Sequence, residues 1–282
     1  MTGPRENPRT AHVALRRDPT AMLILLSPAK TLDYESPVPA AVRRKATAPA
    51  FTGQAAELIG LLRQRTPAQV AELMELSDAL AALNVARYGA WQPEATQDNS
   101  KPAVLAFNGD VYEGLDAHTL RTADLSWAQE HLVVLSGLYG ALRPLDRLQP
   151  YRLEMGTSLP NPRGRDLYAF WGDTVAQYLN ERLQGERRPL VLNLASQEYA
   201  KVALRPALNA RVVECQFEDW KGGRWKVISF FAKRVRGLMA RHAITRRAAS
   251  LKALEDFCAE GYALDRAASE PDRLVFRRRQ DD

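Results

Sequence analysis

The chain has 282 residues, 46% of them hydrophobic, with 39 Lys+Arg against 33 Asp+Glu and a net charge of +6. That is apolar material for one substantial core. The apolar runs, Met22–Leu26 and 132–135 among them, are strand-sized and exclude a membrane-spanning helix.

Residues 1–21 are polar, with Arg5, Arg9, Arg16 and Arg17 and no apolar stretch of the kind that opens a secreted protein. They read as a disordered extension, and Met22 as the natural beginning of a single domain, 22–282. Met22–Leu26 is then a buried strand that Ser27-Pro28 ends. Three helices follow: 54–64; a second capped by Thr66 with Pro67 at its first position; and a third capped by Ser77, with Leu80, Leu83 and Tyr88 as its apolar spacing. The last two form a helical hairpin.

Further buried strands are expected at 103–107, 132–136 and 190–194, with one amphipathic helix over 166–183. Segments 212–217 and 225–228 flank Lys221-Gly222-Gly223 and read as a β-hairpin. A helix over 229–242 places Phe231, Val235, Leu238, Met239 and His242 on one side. Lys233, Arg234, Arg236 and Arg241 fall on the rest of its circumference. A helix near 250–259 and strands near 260–263 and 273–277 close the chain. The alternation of strands and helices predicts a mixed α/β fold, a mixed sheet flanked by helices.

The positive charge is concentrated. Residues 220–254 hold ten Lys+Arg and no Asp or Glu, which leaves about −4 for the rest of the chain. Such a field attracts polyanions, nucleic acid foremost. The first candidates for phosphate contact are Lys221, Arg224, Lys226, Lys233, Arg234, Arg236 and Arg241. Trp220, Trp225 and Phe230 are available to stack on unpaired bases, although core packing is the favoured place for Phe230.

Four strand ends share a second pattern: Ser27 to Thr31, Phe107 to Asp110, Ser136 to Gly140 and Asn193 to Tyr199 each combine small residues with hydrogen-bonding side chains. Loops at the carboxyl ends of strands are where open sheets bind ligands. Ordinary turn chemistry would choose many of the same residues. A shared cleft would be lined by Lys30, Asn108, Asp110, Ser136, Tyr139, Arg143, Arg152, Glu154, Asn193, Ser196 and Glu198. In it Glu154 or Glu198 is a candidate general base, and Lys30 or Arg143 a candidate anion holder. Such a site suits a nucleotide or nucleic-acid substrate. In the run 141–156, Arg143, Arg147 and Arg152 can bind phosphate or pair with Asp146 and Glu154.

No dinucleotide fingerprint, Walker sequence or nucleophile elbow is present. The histidines (His12, His118, His131, His242) form no ligand pair, and there is no carboxylate–imidazole cluster for iron. No metal site and no cofactor are expected. Cys215 and Cys258 read as reduced, buried thiols.

Five segments carry a resemblance. They are Met-Leu-Ile-Leu-Leu-Ser-Pro-Ala-Lys-Thr-Leu-Asp-Tyr from Met22, Gly-Asp-Val-Tyr-Glu-Gly-Leu from Gly109, Leu-Ser-Gly-Leu-Tyr-Gly-Ala-Leu-Arg-Pro-Leu-Asp from Leu135, Pro-Tyr-Arg-Leu-Glu-Met-Gly from Pro150, and Ile-Ser-Phe-Phe-Ala-Lys-Arg-Val-Arg-Gly-Leu-Met-Ala-Arg from Ile228. In this order they resemble the YaaA peroxide-stress family (UPF0246 type). The resemblance implies a bacterial, cytoplasmic protein that limits unincorporated iron during peroxide stress and so protects DNA. It implies a single mixed α/β domain with a positively charged cleft, a helix-hairpin-helix element and DNA binding. That element would map to the helices around 67–76 and 78–91. The hairpin glycines usual in such an element are absent at Leu76-Ser77, so contact there would fall to Arg87 or to the helix N-terminus. DNA, distorted or single-stranded, is the expected partner, with no membrane. A monomer is favoured, though nothing in the sequence fixes the oligomeric state.

Overall fold

The structure, a computed structural model, describes residues 22–279; the expected extension over 1–21 lies outside them. Its centre is an eight-stranded mixed sheet. From one edge the order is Ala263–Leu264, Arg273–Arg278, Arg211–Lys221, Leu190–Asn193, Met22–Leu26, Leu132–Ser136 and Gly140–Leu142, with Arg224–Lys226 paired to Arg211–Lys221. The five inner strands are mutually parallel, and antiparallel strands close both edges. Met22–Leu26 and Leu132–Ser136 are buried at every position, which is why both read as continuous apolar runs: helices cover both faces of a parallel sheet.

The helix expected after Thr66 starts where its cap residues place it. Thr66 and Gln69 make a reciprocal capping box, and Pro67 opens the Pro67–Met74 helix. That helix stops at Glu75, whose φ is +53°. Ser77 occupies the cap position of Asp78–Ala90 but makes no side-chain cap bond. Leu80 and Leu83 are 40% and 45% exposed; the buried face is Ala81, Asn84 and Tyr88. Small Ala81 and self-satisfied Asn84, which donates to the Leu80 carbonyl, let the helix approach its neighbours.

Three other expectations change. Residues 103–107 are not a strand: Ala103–Ala106 is one helical turn, and only Phe107–Asn108 is extended, paired with Thr31–Leu32. A short, wholly buried apolar run does not announce its period. The turn is held by tertiary bonds, Ala103 N to Asp146 O and Asp33 N to Ala106 O. The helix over 166–183 is two, Leu167–Trp171 and Thr174–Arg182, broken at Gly172, which takes φ +47°. The expected helix near 250–259 is a single 3-10 turn, Leu251–Leu254, so Cys258 lies in an irregular segment and is exposed, not buried. The 229–242 helix runs on to Arg246, and the closing strands are Ala263–Leu264 and Arg273–Arg278.

The Ser229–Arg246 helix packs against the short helix Asp110–Leu115 through two glycines. A Cβ on Gly114 would lie 2.1 Å from the Arg234 carbonyl oxygen, and one on Gly237 would lie 1.8 Å from that of Val111. Backbone therefore meets backbone. Among the described residues, no helix is long and apolar enough to cross a membrane, and no group of three or more His, Cys, Asp or Glu is placed to hold a metal ion.

Candidate functional site

At the carboxyl ends of the inner strands lies a cleft of ≈ 450 Å³, within the usual range for small-molecule sites. Its walls are Ser27–Thr31 after the first strand, Asn108–Val111, Tyr151–Glu154 and Leu194–Tyr199, with Lys233 and Arg236 reaching in from the Ser229–Arg246 helix. The loops are tied to one another. The Ser196 amide donates to Ser27 Oγ at 2.9 Å, and the Tyr112 hydroxyl donates to the Ser27 carbonyl at 3.0 Å.

Seven of the expected lining residues meet here: Lys30, Asn108, Asp110, Arg152, Glu154, Ser196 and Glu198. Glu154 is the most constrained. Lys30 Nζ lies 2.7 Å from one carboxylate oxygen, and the Arg152 guanidinium donates to the other at 3.0 Å. Both oxygens are committed to cations, which weakens Glu154 as a general base. Glu198 accepts the Gly156 amide at 2.9 Å and makes no ion pair among the described residues, and Asp110 makes none either.

Four expected residues do not reach the cleft. Ser136 is fully buried: its Oγ accepts the Tyr139 amide and shares a 2.6 Å hydrogen bond with the Tyr151 hydroxyl. Tyr139 is buried and accepts from Trp91 Nε1; burial pushes its hydroxyl up to about 12. Arg143 pairs at 3.2 Å with Asp146, which is wholly buried and also accepts the Thr47 hydroxyl. Asn193 closes the turn at Ala195 and donates to Glu214. These residues hold the cleft up from behind, and Ser136 fixes Tyr151, which does line it.

The basic segment divides. Its hairpin is carried by the long strand Arg211–Lys221. Only its first four residues pair with Leu190–Asn193; the following seven run on past the end of that neighbour, a rise of roughly 20 Å. The turn at Gly222-Gly223, both with positive φ, therefore stands on the cleft side of the sheet. Lys221 and Arg224 are exposed, Lys226 is half-buried, and none of them nor Lys233 has an ion pair among the described residues.

The other cations of the helix are engaged within the fold rather than pointing free of it. Arg234 lies 2.7 Å from Glu260 and 3.7 Å from Glu113. Arg241 donates to the carbonyls of Leu115 and Asp116 and to the Thr119 hydroxyl, closing the end of the Asp110–Leu115 helix. Arg236 is half-buried, beside Cys215 and Glu214, and burial lowers its affinity for the proton. Its Nε is buried with no hydrogen-bond partner. Arg87 leans into the protein beside Tyr34 and Tyr88, where burial likewise lowers its pKa. The cause is common to all four: each lies on a helix packed against the rest of the fold, and long cationic stems serve as packing.

The aromatics also differ from expectation. Phe230, expected in the core, is 58% exposed. Trp220 and Trp225 meet edge-on at 5.1 Å, and the guanidinium groups of Arg279 and Arg277 lie over them at 4.6 and 4.8 Å. The cleft itself is mixed in charge: Lys30, Arg152, Lys233 and Arg236 face Asp110, Glu154 and Glu198. Sequence reasoning placed Lys233 and Arg236 on the outer surface. The paired glycines Gly114 and Gly237 were the available signal that this helix docks closely.

A family model described as peroxide stress protein YaaA matches residues 22–268. The chain belongs to that family. Among its relatives, a UPF0246 protein of Leptothrix cholodnii is 68% identical over 91% of this chain and 98% of its own length. A UPF0246 protein of Methylibium petroleiphilum is 62% identical over 92% and 99%, and one of Albidiferax ferrireducens 61% over 92% and 99%.

Proposed function

We propose that the protein acts in the cytoplasm during peroxide stress by binding DNA, and so takes part in protecting DNA and limiting free iron. One observation carries this reading. Lys221, Arg224 and Lys226, without ion pairs among the described residues, rise on the hairpin on the same side of the sheet as the cleft into which Lys233 reaches. Unpaired cations gathered on one face are what a phosphate backbone neutralises. Arg234 and Arg241, engaged inside the fold, contribute through the stability of the helix. The pair of helices Pro67–Met74 and Asp78–Ala90 has no glycine at its turn, so the hairpin is the primary contact and Arg87 secondary.

Fluorescence anisotropy with duplex, bubble and single-stranded DNA across a salt series tests this. Affinity should fall linearly in log–log form, with a slope near one for each neutralised phosphate, and the Lys221→Glu/Arg224→Glu protein should lose most of it. Affinity that stays flat with salt overturns the reading.

A second reading is favoured by Asp110 and Glu198, two carboxylates that face the cleft without ion pairs among the described residues. In it the cleft is an enzyme site, and one of them is the general base acting on a nucleotide or nucleic-acid substrate. Turnover that is lost in Asp110→Asn or Glu198→Gln with DNA binding retained would establish it.

A further inference from the structure

We infer that the cleft receives one nucleotide unit, its phosphate held between Lys233 and Arg236 and its sugar and base facing Asn108, Asp110 and Glu198. This deepens the reading above by naming what enters the cleft beneath the bound polyanion, and it rests on that reading for its source of nucleotides.

Two residues of the Ser229–Arg246 helix carry the phosphate site. Arg236 lines the cleft, and its Nε is buried without an acceptor among the described residues. The nearby carboxylate of Glu214 already accepts the Asn193 amide at 3.3 Å. An unspent guanidinium N–H in a half-buried site is costly unless an oxyanion reaches it, and the planar guanidinium fork matches phosphate. Lys233, one turn earlier on the same face, lines the same cleft, is exposed and has no ion pair among the described residues.

Charge fixes the orientation. Glu154 is paired with Lys30 and Arg152, while Lys233 has no ion pair among the described residues, so the Lys233–Arg236 end is where an anion is favoured. Asp110, Glu198 and Asn108 are placed to accept and donate hydrogen bonds to the sugar and base edge. A volume of ≈ 450 Å³ takes a nucleotide and excludes a duplex. DNA on the hairpin would therefore offer the cleft a single unstacked unit.

Isothermal titration calorimetry at low salt with AMP, adenosine and inorganic phosphate tests the assignment. AMP should bind at least about tenfold more tightly than either part. Lys233→Ala and Arg236→Gln should each weaken AMP by about tenfold while leaving adenosine unchanged. Asn108→Ala should weaken AMP and leave phosphate unchanged. Lys233 and Asn108 are exposed, so their variants fold even if Arg236→Gln does not. AMP binding no tighter than phosphate, or unaffected by Lys233→Ala, overturns the inference. The Lys221→Glu/Arg224→Glu protein separates the two claims. It should bind AMP normally and lose DNA. Loss of AMP binding in the wild type with DNA binding intact defeats only this inference, and the reverse result defeats only the reading above.

Discussion

Gly237 stands so close to the Val111 carbonyl that an added Cβ would sit 1.8 Å from its oxygen. The contact joins the two walls of the cleft, because Val111 and Asp110 lie on one side and Lys233 and Arg236 on the other. Gly237→Ala should cost about 1–3 kcal/mol, since backbone cannot yield as a side-chain tip does. It should also weaken any ligand of the cleft by parting those walls. Urea denaturation reads the first effect. An unchanged midpoint would mean that the crossing has slack.

The base of the basic hairpin is pinned by a buried ion pair. Arg278 Nε donates to Asp219 at 2.7 Å, the Tyr262 hydroxyl donates to the other oxygen at 2.6 Å, and the guanidinium lies over the rings of Phe231 and Tyr262 at 4.5 and 4.4 Å. Removing one partner strands a buried charge, so Arg278→Ala should destabilise by about 3–5 kcal/mol. Denaturant titration of Arg278→Ala, Asp219→Ala and the double variant should show the double costing less than the sum of the singles.

Adjacent cations on one helix should behave differently. Arg234, half-buried and bridged to Glu260, should on substitution by alanine change stability by no more than about 1 kcal/mol and leave the salt slope of DNA binding intact. Lys233→Ala should leave stability intact and reduce that slope by about 1. Equal effects on DNA binding would remove the distinction between engaged and free cations.

Asp33 gives the fold an acid-sensitive contact. Burial works to raise its pKa, but the Ser36 and Glu35 amides, each at 2.9 Å, and Lys101 Nζ at 3.3 Å outweigh it and hold the carboxyl well below its ordinary 3.8. A depressed pKa means stabilisation that is complete above the unfolded value and lost as pH falls through the folded one. Asp33→Asn should therefore cost stability at neutral pH, and the gap from wild type should shrink below about pH 4. Urea midpoints for the two proteins across that range check it. A gap independent of pH would exclude the charged form as its source.

The two cysteines should be distinguishable by a thiol reagent at neutral pH. Cys258 is exposed, whereas Cys215 is buried and burial pushes its thiol well up. The native protein should react at one thiol and the unfolded protein at both; Cys258→Ser should abolish native labelling.

The family and the mixed sheet were legible in the sequence because their signals are local. Met22–Leu26 and Leu132–Ser136 declare buried parallel strands by unbroken apolar runs, Thr66-Pro67 declares a helix start, and Gly222-Gly223 declares a hairpin. Most of the cleft lining could also be read, since strand-end loops are marked by their own residue types. What the tertiary structure alone decided was allegiance. Ser136, Tyr139, Arg143 and Asn193 have the same chemistry as Lys30, Glu154 and Glu198, yet they fell to the scaffold because their partners come from distant segments: Tyr151 for Ser136, Trp91 for Tyr139, Thr47 through Asp146 for Arg143, and Glu214 for Asn193. In the same way Arg234 and Arg241 were claimed by Glu260 and Leu115, while Lys233 and the hairpin lysines have no ion pair among the described residues. Composition fixes how many charges a chain has. Which of them remain available depends on what packs beside each, and that is settled only when residues far apart in the chain are brought within hydrogen-bonding distance.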